Sequence, residues 1–512
     1  MFSEIIERID TGLIKNKDQL EVEKLMLAKR YGIYSVVKNA HIIEYAKQNG
    51  RQHLIKFLKT KPIRTASGVA NIAVMWKGAE MGNNKFFSCP ANCVYCPQGE
   101  NSPKAYTGVE PTTMRAKRLN YDPFMQVKNR IRQFHIIGHK TDKCELIIMG
   151  GTFTAMPFSF QEDFVKRCFD AFNGFESACL TDAQKNNETA DNRCIGLTIE
   201  TRADYCTQAH IEKMLDFGCT RVEIGVQTTS DELLEKIERG HDAQANIEAI
   251  KRLKYAGLKF TAHWMPGFTG LVGEVDIEEE LRLFKKLFTP DYQPDELKIY
   301  PTLVIPGTKL YEMWKEGKYH SLEKGNMIEL LVKMKEIVRP YVRIKRIMRD
   351  ISEHEAEAGA RTTNLRQLVK EIMQKDGKRC RCIRCREIGF DDVSAEGIEM
   401  QITEYDASEG KELFISFENK KTDKIIGFLR LRLDNSEIAK VRELHVYGEM
   451  TPIGEKIAYQ HAGFGKRLMK KAEEIAAERG KKFIAVTSGI GVRNYYRKLH
   501  YVLEGNYMTK KL

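Results

Sequence analysis

Apolar residues recur along this chain with two different periods. Up to about Arg64, Ile5, Ile6, Ile9 and Leu13, then Leu20, Leu25 and Leu27, fall mostly three to four apart with Lys between them, the spacing of amphipathic helices. The period breaks at Lys61-Pro62-Ile63-Arg64-Thr65-Ala66-Ser67-Gly68, which predicts a helical module over 1–68. From Val69 to about Arg339, short apolar runs at 72–76, 145–149, 195–198, 221–226, 259–265 and 296–300 alternate with helical stretches. Six strands separated by helices predict a parallel sheet. Curled on itself, that sheet is an incomplete (β/α)6 barrel over 69–338, with its chemistry at the C-terminal ends of the strands.

The pattern changes again from Glu399. Runs at 413–418, 425–433 and 439–446 read as an antiparallel meander, with Asp423-Lys424 at a hairpin turn. Tyr459-Gln460-His461-Ala462-Gly463-Phe464-Gly465-Lys466 then precedes a helical stretch over 467–478, a strand over 483–487 and the aromatic segment Asn494-Tyr495-Tyr496-Arg497-Lys498-Leu499. Glycines ahead of a helix leave its free N–H groups to surround a pyrophosphate. This predicts an α+β domain over 399–512, and residues 339–398 become a basic linker.

Composition adds the scale. With 512 residues, 42% hydrophobic and 9% aromatic, the chain holds two to four domains with real cores. Its longest apolar runs are strand-sized, too short for a bilayer. Met1-Phe2-Ser3-Glu4 lacks the basic and apolar blocks of a signal peptide, so a soluble cytoplasmic protein is expected. The net charge of +12 lies in two stretches, with the rest of the chain close to neutral: 13 Lys and Arg against 7 Asp and Glu before residue 65, and 14 against 7 over 339–390. Two localised excesses flanking a catalytic module point to a polyanion partner.

Six of the twelve cysteines form two tight clusters. Cys144, Cys168, Cys179, Cys194, Cys206 and Cys219 are scattered and read as buried small hydrophobes. In Cys89-Pro90-Ala91-Asn92-Cys93-Val94-Tyr95-Cys96, three thiols follow the first barrel strand and no further Cys or His appears before His135. A closed structural zinc site takes four ligands, so zinc here needs a distant fourth. Three thiolates suit a [4Fe-4S] cluster with one open iron, where a molecule such as S-adenosylmethionine chelates. Other strand ends match: Gly150 and Gly151 allow close backbone approach, Glu200 suits a ribose hydroxyl and Arg202 a carboxylate, although either is equally read as a barrel-rim ion pair. Gln227, Pro266-Gly267, Lys298 and Tyr300 complete a polar rim, while Trp264 is equally read as core. Arg115, Lys117 and Arg118, after Tyr106-Thr107-Gly108-Val109-Glu110-Pro111, open a basic helix that reads either as a solvated face or as a phosphate or cofactor contact. Cys380, Cys382 and Cys385 supply most of a small zinc site, with His354 or His445 as the fourth ligand, or else a metal-free loop.

The cysteine loop with its rim resembles radical S-adenosylmethionine enzymes, and the C-terminal block resembles GNAT acetyltransferases. Together with YTGVEPTTMRA at 106–116, MGGTF at 149–153, RELHVYG at 442–448, QHAGFG at 460–465 and RNYYRK at 493–498, the chain resembles the catalytic subunit family of Elongator over nearly its full length, as a single-chain archaeal or bacterial-type member. The resemblance implies modification of wobble uridine 34 of tRNA at C5. A 5′-deoxyadenosyl radical from S-adenosylmethionine takes hydrogen from the methyl of acetyl-CoA, the resulting radical adds to C5, and thioester hydrolysis leaves a carboxymethyl group.

By motif, the resemblance makes Cys89, Cys93 and Cys96 the cluster ligands. Acetyl-CoA contacts fall on Glu443, Leu444, His445 and Val446, on Gly463, Phe464, Gly465 and Lys466 at the pyrophosphate, on Tyr496 near the sulfur, and on Lys143 from the barrel. Tyr495 or Tyr496 becomes the general acid for the leaving thiolate. The basic segments are expected to bind the tRNA anticodon stem and loop through phosphates, with no membrane partner. A homodimer is left open and further subunits are not implied. The competing readings are a protein lysine acetyltransferase with a structural cluster and a non-enzymatic tRNA-binding scaffold.

Overall fold

The computed structural model describes residues 1–512 apart from 36, 66, 82–84, 363, 390–395 and 448–462. Gly448 and Tyr459-Gln460-His461-Ala462 therefore lie outside the described residues.

Helices Phe2–Asp10, Lys17–Arg30 and Asn39–Gln48 form the N-terminal module, and the Asn16 side chain caps the second by accepting from Gln19 N. Ile5, Ile6, Ile14, Leu20, Leu27, Ile42 and Ile43 pack into a core separate from the rest of the chain. Leu13 and Leu25 share the helical spacing but face solvent.

The barrel sheet is parallel and runs in chain order: β1 (Ala70–Met75), then, past a short ribbon of β2 (Ala79–Met81) and β3 (Lys85–Phe87), β4 (Lys143–Met149), β5 (Arg193–Thr201), β6 (Arg221–Gln227), β7 (Lys259–Trp264), β8 (Glu296–Ile299) and β9 (Arg343–Ile347). Strand β9 is a seventh strand, continuing the sheet past residue 338. One face of these strands carries Ile72, Val74, Leu146, Ile148, Val222 and Ile224, all buried among the helices. The other face is charged and lines the hollow. There Arg221 pairs with Glu145 and with Glu296 (2.9 Å), Lys345 with Glu296 (3.3 Å), and Lys298 with Glu223 and Glu200 (3.5 Å).

The second sheet follows the order β10 (Ile398–Ala407), β11 (Gly410–Asn419), β12 (Lys424–Leu433), β13 (Ile438–Val446), β14 (Phe483–Val486), β16 (Tyr507–Lys511) and β15 (Val502–Glu504). All its pairings are antiparallel except β13 with β14. This sheet docks on the N-terminal ends of the barrel strands. Arg442 of β13 donates to both carboxylate oxygens of Asp295, just before β8, at 2.6 and 2.7 Å, and to Leu258 O before β7. At the start of β5 the approach is backbone to backbone: a Cβ on Gly489 would lie 2.0 Å from the Ile195 carbonyl oxygen. No helix among the described residues is long and apolar enough to cross a membrane.

Candidate active site

A pocket opens at the C-terminal ends of the barrel strands, lined by Cys89, Cys93, Cys96, Gly151, Glu200 and Arg202 together with Tyr106, Gln227, Arg239 and His263. Each cysteine is placed by its own contacts. The Cys89 thiol is 3.2 Å from Thr152 Oγ1, Val94 N donates to Ile237 O, and Cys96 N closes the turn by donating to Cys93 O. The thiols are free. Glu200 accepts from the Tyr106 hydroxyl at 3.3 Å. Arg202 is held by Asp204 through Nε and Nη2 at 2.9 and 2.8 Å, and its Nη1 is buried with no partner. An oriented, unsatisfied guanidinium N–H beside three free thiols fits a cluster carrying an amino-acid ligand whose carboxylate Arg202 would receive.

Glu200, Glu223 and His263 offer ligand atoms within 4.8 Å of one another, but the Lys298 ammonium already sits between the two carboxylates. His263 Nε2 meets Glu223 at 2.9 Å. Lys298, with Lys345 3.8 Å from Glu223, thus supplies the counter-charge that a metal ion would otherwise bring.

Gly150 plays a different part from Gly151. Gly151 lines the pocket, with its Cβ direction 3.4 Å from Cys89 Cβ, whereas Gly150, at φ 129°, turns toward Trp76, where a Cβ would meet the carbonyl at 2.5 Å. Gly150→Ala is expected to destabilise the protein by about 1–3 kcal/mol, because that backbone conformation excludes a side chain. Thermal unfolding and iron content after reconstitution measure it, and an unchanged melting temperature would contradict the assignment.

The second constellation lies at the other end of the barrel. Strand β13 pairs with β14 only from Ile438 to Val441, so among the described residues Glu443 to Val446 have no partner strand on that side, and their backbone suits a pantetheine chain. Helix Phe464–Glu478 starts at Gly463 without a side-chain cap, leaving the first N–H groups for a pyrophosphate. The Tyr495 hydroxyl lies over this start, 2.9 Å from the Cβ direction of Gly465, with Val446 alongside. Burial raises the Tyr495 pKa to about 12, so it keeps its proton at neutral pH. Tyr496 is more deeply buried, against Tyr495 and Tyr501. Of the other predicted residues, Glu443 spends its carboxylate on Arg430 (2.9 Å) and Lys259 (3.2 Å), and the His445 ring, with Nε2 buried and unpaired, sits against Tyr447. Lys143 begins β4 beside Arg193, which Gly491 of the second sheet's domain touches. Six residue steps along β4 separate Lys143 from Met149 at the thiol pocket, roughly 20 Å at ~3.3 Å per residue.

Cys380, Cys382 and Cys385 come within 4.8 Å of one another, and neither His354 nor His445 joins them. Five of the scattered cysteines are buried as expected, but Cys179 is exposed, ahead of helix Leu180–Asn187. Arg239 and Glu223 are among the pocket residues that sequence reasoning missed. Arg239 lies in an inter-helix turn without a motif, and Glu223 inside a strand read only as apolar.

Four family models match in succession: the ELP3 N-terminal domain over residues 1–66, the radical SAM superfamily over 83–284, the radical SAM C-terminal domain over 294–375 and the GNAT acetyltransferase family over 378–501. The chain is 44% identical to the tRNA uridine(34) acetyltransferase of Methanocaldococcus jannaschii, covering 99% of this chain and 97% of that one. It is 40% identical to human Elongator complex protein 3, covering 99% and 96%. The solved structure of Methanocaldococcus infernus Elp3 with an N-terminal deletion superposes with a TM-score of 0.76 at 43% identity, covering 87% of this chain and all of that one.

Proposed function

This chain belongs to the Elongator complex protein 3 family, and from that premise we propose that it is a tRNA uridine(34) acetyltransferase, which places an acetyl-derived carboxymethyl group on C5 of the wobble uridine. One observation carries the reading: a three-thiol pocket with an unsatisfied arginine, and a splayed strand facing an uncapped helix start, cap opposite ends of one polar barrel. When bound, a [4Fe-4S] cluster and S-adenosylmethionine supply a carbon radical able to take hydrogen from the methyl group of acetyl-CoA. The chain's residues bind and orient. Cys89, Cys93 and Cys96 hold the cluster, Arg202 Nη1 and Glu200 orient the carboxylate and ribose of S-adenosylmethionine, and the edge Glu443–Val446 with the N–H groups of Phe464, Gly465 and Lys466 receives acetyl-CoA. Lys143 reaches that ligand from the barrel, and Tyr495, still protonated, donates to the departing thiolate. Tyr495 suits this better than Tyr496 because its hydroxyl faces the helix start. Cys380, Cys382 and Cys385 would hold a zinc ion that pins the segment before β10.

A purely structural cluster, as a protein lysine acetyltransferase would have, calls for enclosure by apolar side chains; these thiols open instead onto Glu200, Arg202 and His263. The deciding experiment is anaerobic reaction of the reconstituted chain with S-adenosylmethionine, acetyl-CoA, reductant and tRNA, followed by nucleoside mass analysis. Acetyl-lysine on a protein without modified uridine would sink the reading.

The tRNA anticodon stem-loop, met in the cytoplasm, has a specific landing site. Arg64, Arg115 and Arg130 crowd together without a carboxylate in ion-pairing distance among the described residues. Burial first, and then mutual repulsion with Arg115 and Arg64, pushes Arg130 down to about 10. Such a cluster is relieved by phosphate. Arg115→Ala with Arg130→Ala is expected to weaken tRNA binding and to lower the slope of log affinity against log salt by roughly 1 to 2; an unchanged slope in filter binding would refute the site.

A further inference from the structure

Resting on the assignment of Cys89, Cys93 and Cys96 as cluster ligands, we propose that Arg239 is a positioning and tuning residue that raises the reduction potential of the iron–sulfur cluster. Arg239 lies in the turn between helices Asp231–Lys236 and Ala243–Tyr255 and is 5% exposed. Its Nη1 donates to Cys93 Sγ at 3.5 Å, its Nη2 donates to the Gly225 carbonyl at 2.6 Å, and its Nε is buried without a partner. Space for it is built in: a Cβ on Gly225 would lie 2.5 Å from Arg239 Nη2.

The other guanidinium groups of the pocket are differently engaged. Arg202 is gripped by Asp204, Arg346 pairs with Asp350, and Arg349 donates to the Ala105 carbonyl. Arg239 has no carboxylate in ion-pairing distance among the described residues, and its contact is with a thiol. A buried cation without a counter-charge is costly, so one that points at a ligand sulfur is compensated when that sulfur carries negative charge.

The electrostatic consequence has a definite sign. Adding an electron makes the cluster more negative, and an adjacent buried cation with an N–H···S bond stabilises the reduced form more than the oxidised form. The step affected is entry of one electron from a low-potential donor of the ferredoxin or flavodoxin class. No bond forms or breaks in it, and no proton is taken up.

The test uses the full chain, reconstituted anaerobically without tRNA, acetyl-CoA or S-adenosylmethionine, and an EPR-monitored redox titration. In Arg239→Gln, at the potential where half of the unsubstituted cluster is reduced, the ratio of reduced to oxidised cluster is expected to fall about tenfold, a shift of ~59 mV for one electron. Arg239→Lys, which keeps the charge but not the paired N–H geometry, should shift the same way by less. A midpoint in Arg239→Gln equal to or above that of the unsubstituted chain would overturn the proposal. Where that variant does not retain iron, Arg239→Lys decides by the same criterion: a lower midpoint supports it and an equal or higher one overturns it. No iron–sulfur signal in the unsubstituted chain would overturn the cluster assignment and this proposal with it, a result distinct from an unmoved midpoint.

Discussion

Cys93→Ala is expected to lose the cluster and to reduce uridine modification to background, while tRNA binding stays within about twofold of the unsubstituted chain. Of the three cysteines in the loop, Cys93 is the least exposed, with the Arg239 guanidinium against its sulfur. Removing it leaves two ligands for a site that needs three, and no other thiol lines the pocket. The fold should survive, because shortening one side chain beside an open pocket costs about 1 kcal/mol. RNA binding should also survive, because phosphates are met elsewhere, at Arg64, Arg115 and Arg130 and on the basic N-terminal module. Cys168→Ala and Cys219→Ala are the controls: both thiols are buried in the barrel core and should leave iron content unchanged. Iron analysis, visible absorbance and nucleoside mass analysis read the outcome. Modified uridine at the native level from Cys93→Ala would show that the chemistry does not run through this loop.

The contrast between those cysteines shows what the sequence discloses. Cys89, Cys93 and Cys96 were legible because their spacing is local and a fourth partner is absent nearby. The barrel strands were legible through their outward faces, where Val222 and Ile224 or Leu146 and Ile148 alternate with residues of the hollow. Strand β9 escaped because its register shifts opposite Leu297 and Lys298, so that Ile344 and Ile347 fall three apart and the period of two is lost among Arg343, Lys345 and Arg346. The partners inside the hollow were not legible either. Lys298 and Glu223 stand 75 positions apart, and Arg221 and Glu145 stand 76 apart, so only the closed sheet brings them together. Arg239 belongs to the same class: a turn residue whose role comes from the strand it happens to face.

The interface between the two sheets buries a dense set of charges, and Asp295→Asn should break it. Asp295 receives two N–H groups from Arg442 and one from Phe260 N, while Arg442 also donates to Glu412. Arg430 approaches Asp295 at 3.6 Å, and the side chains of Asp295, Arg442, Arg430 and Glu412 are each 1% exposed or less. Asparagine keeps the shape but deletes the charge, leaving Arg442 and Arg430 under-compensated where water cannot help. Removing one member of a buried ion pair costs about 3–5 kcal/mol, which corresponds to a melting temperature lowered by roughly 6–20 °C. Iron content should hold, since the thiol pocket is at the far end of the strands, but modified uridine should fall because acetyl-CoA is no longer held against the barrel. The pH dependence carries the sign. Burial opposes ionisation of Asp295, but the charges of Arg442, Lys254 and Arg430 overcome it and hold the carboxyl far below its ordinary range. Burial likewise opposes Glu145, which Arg221 and Lys345 bring down to about 2. Folded-state values below the unfolded ones mean stability that is fully present above about pH 4.5 and is lost as the pH falls toward 2. Asp295→Asn gives up its share of that slope, so calorimetry between pH 5 and 3 should find the variant less stable than the unsubstituted chain at pH 5 and the gap narrowing on acidification. A gap that widened instead would mean that Asp295 is not the charge that locks the two sheets together.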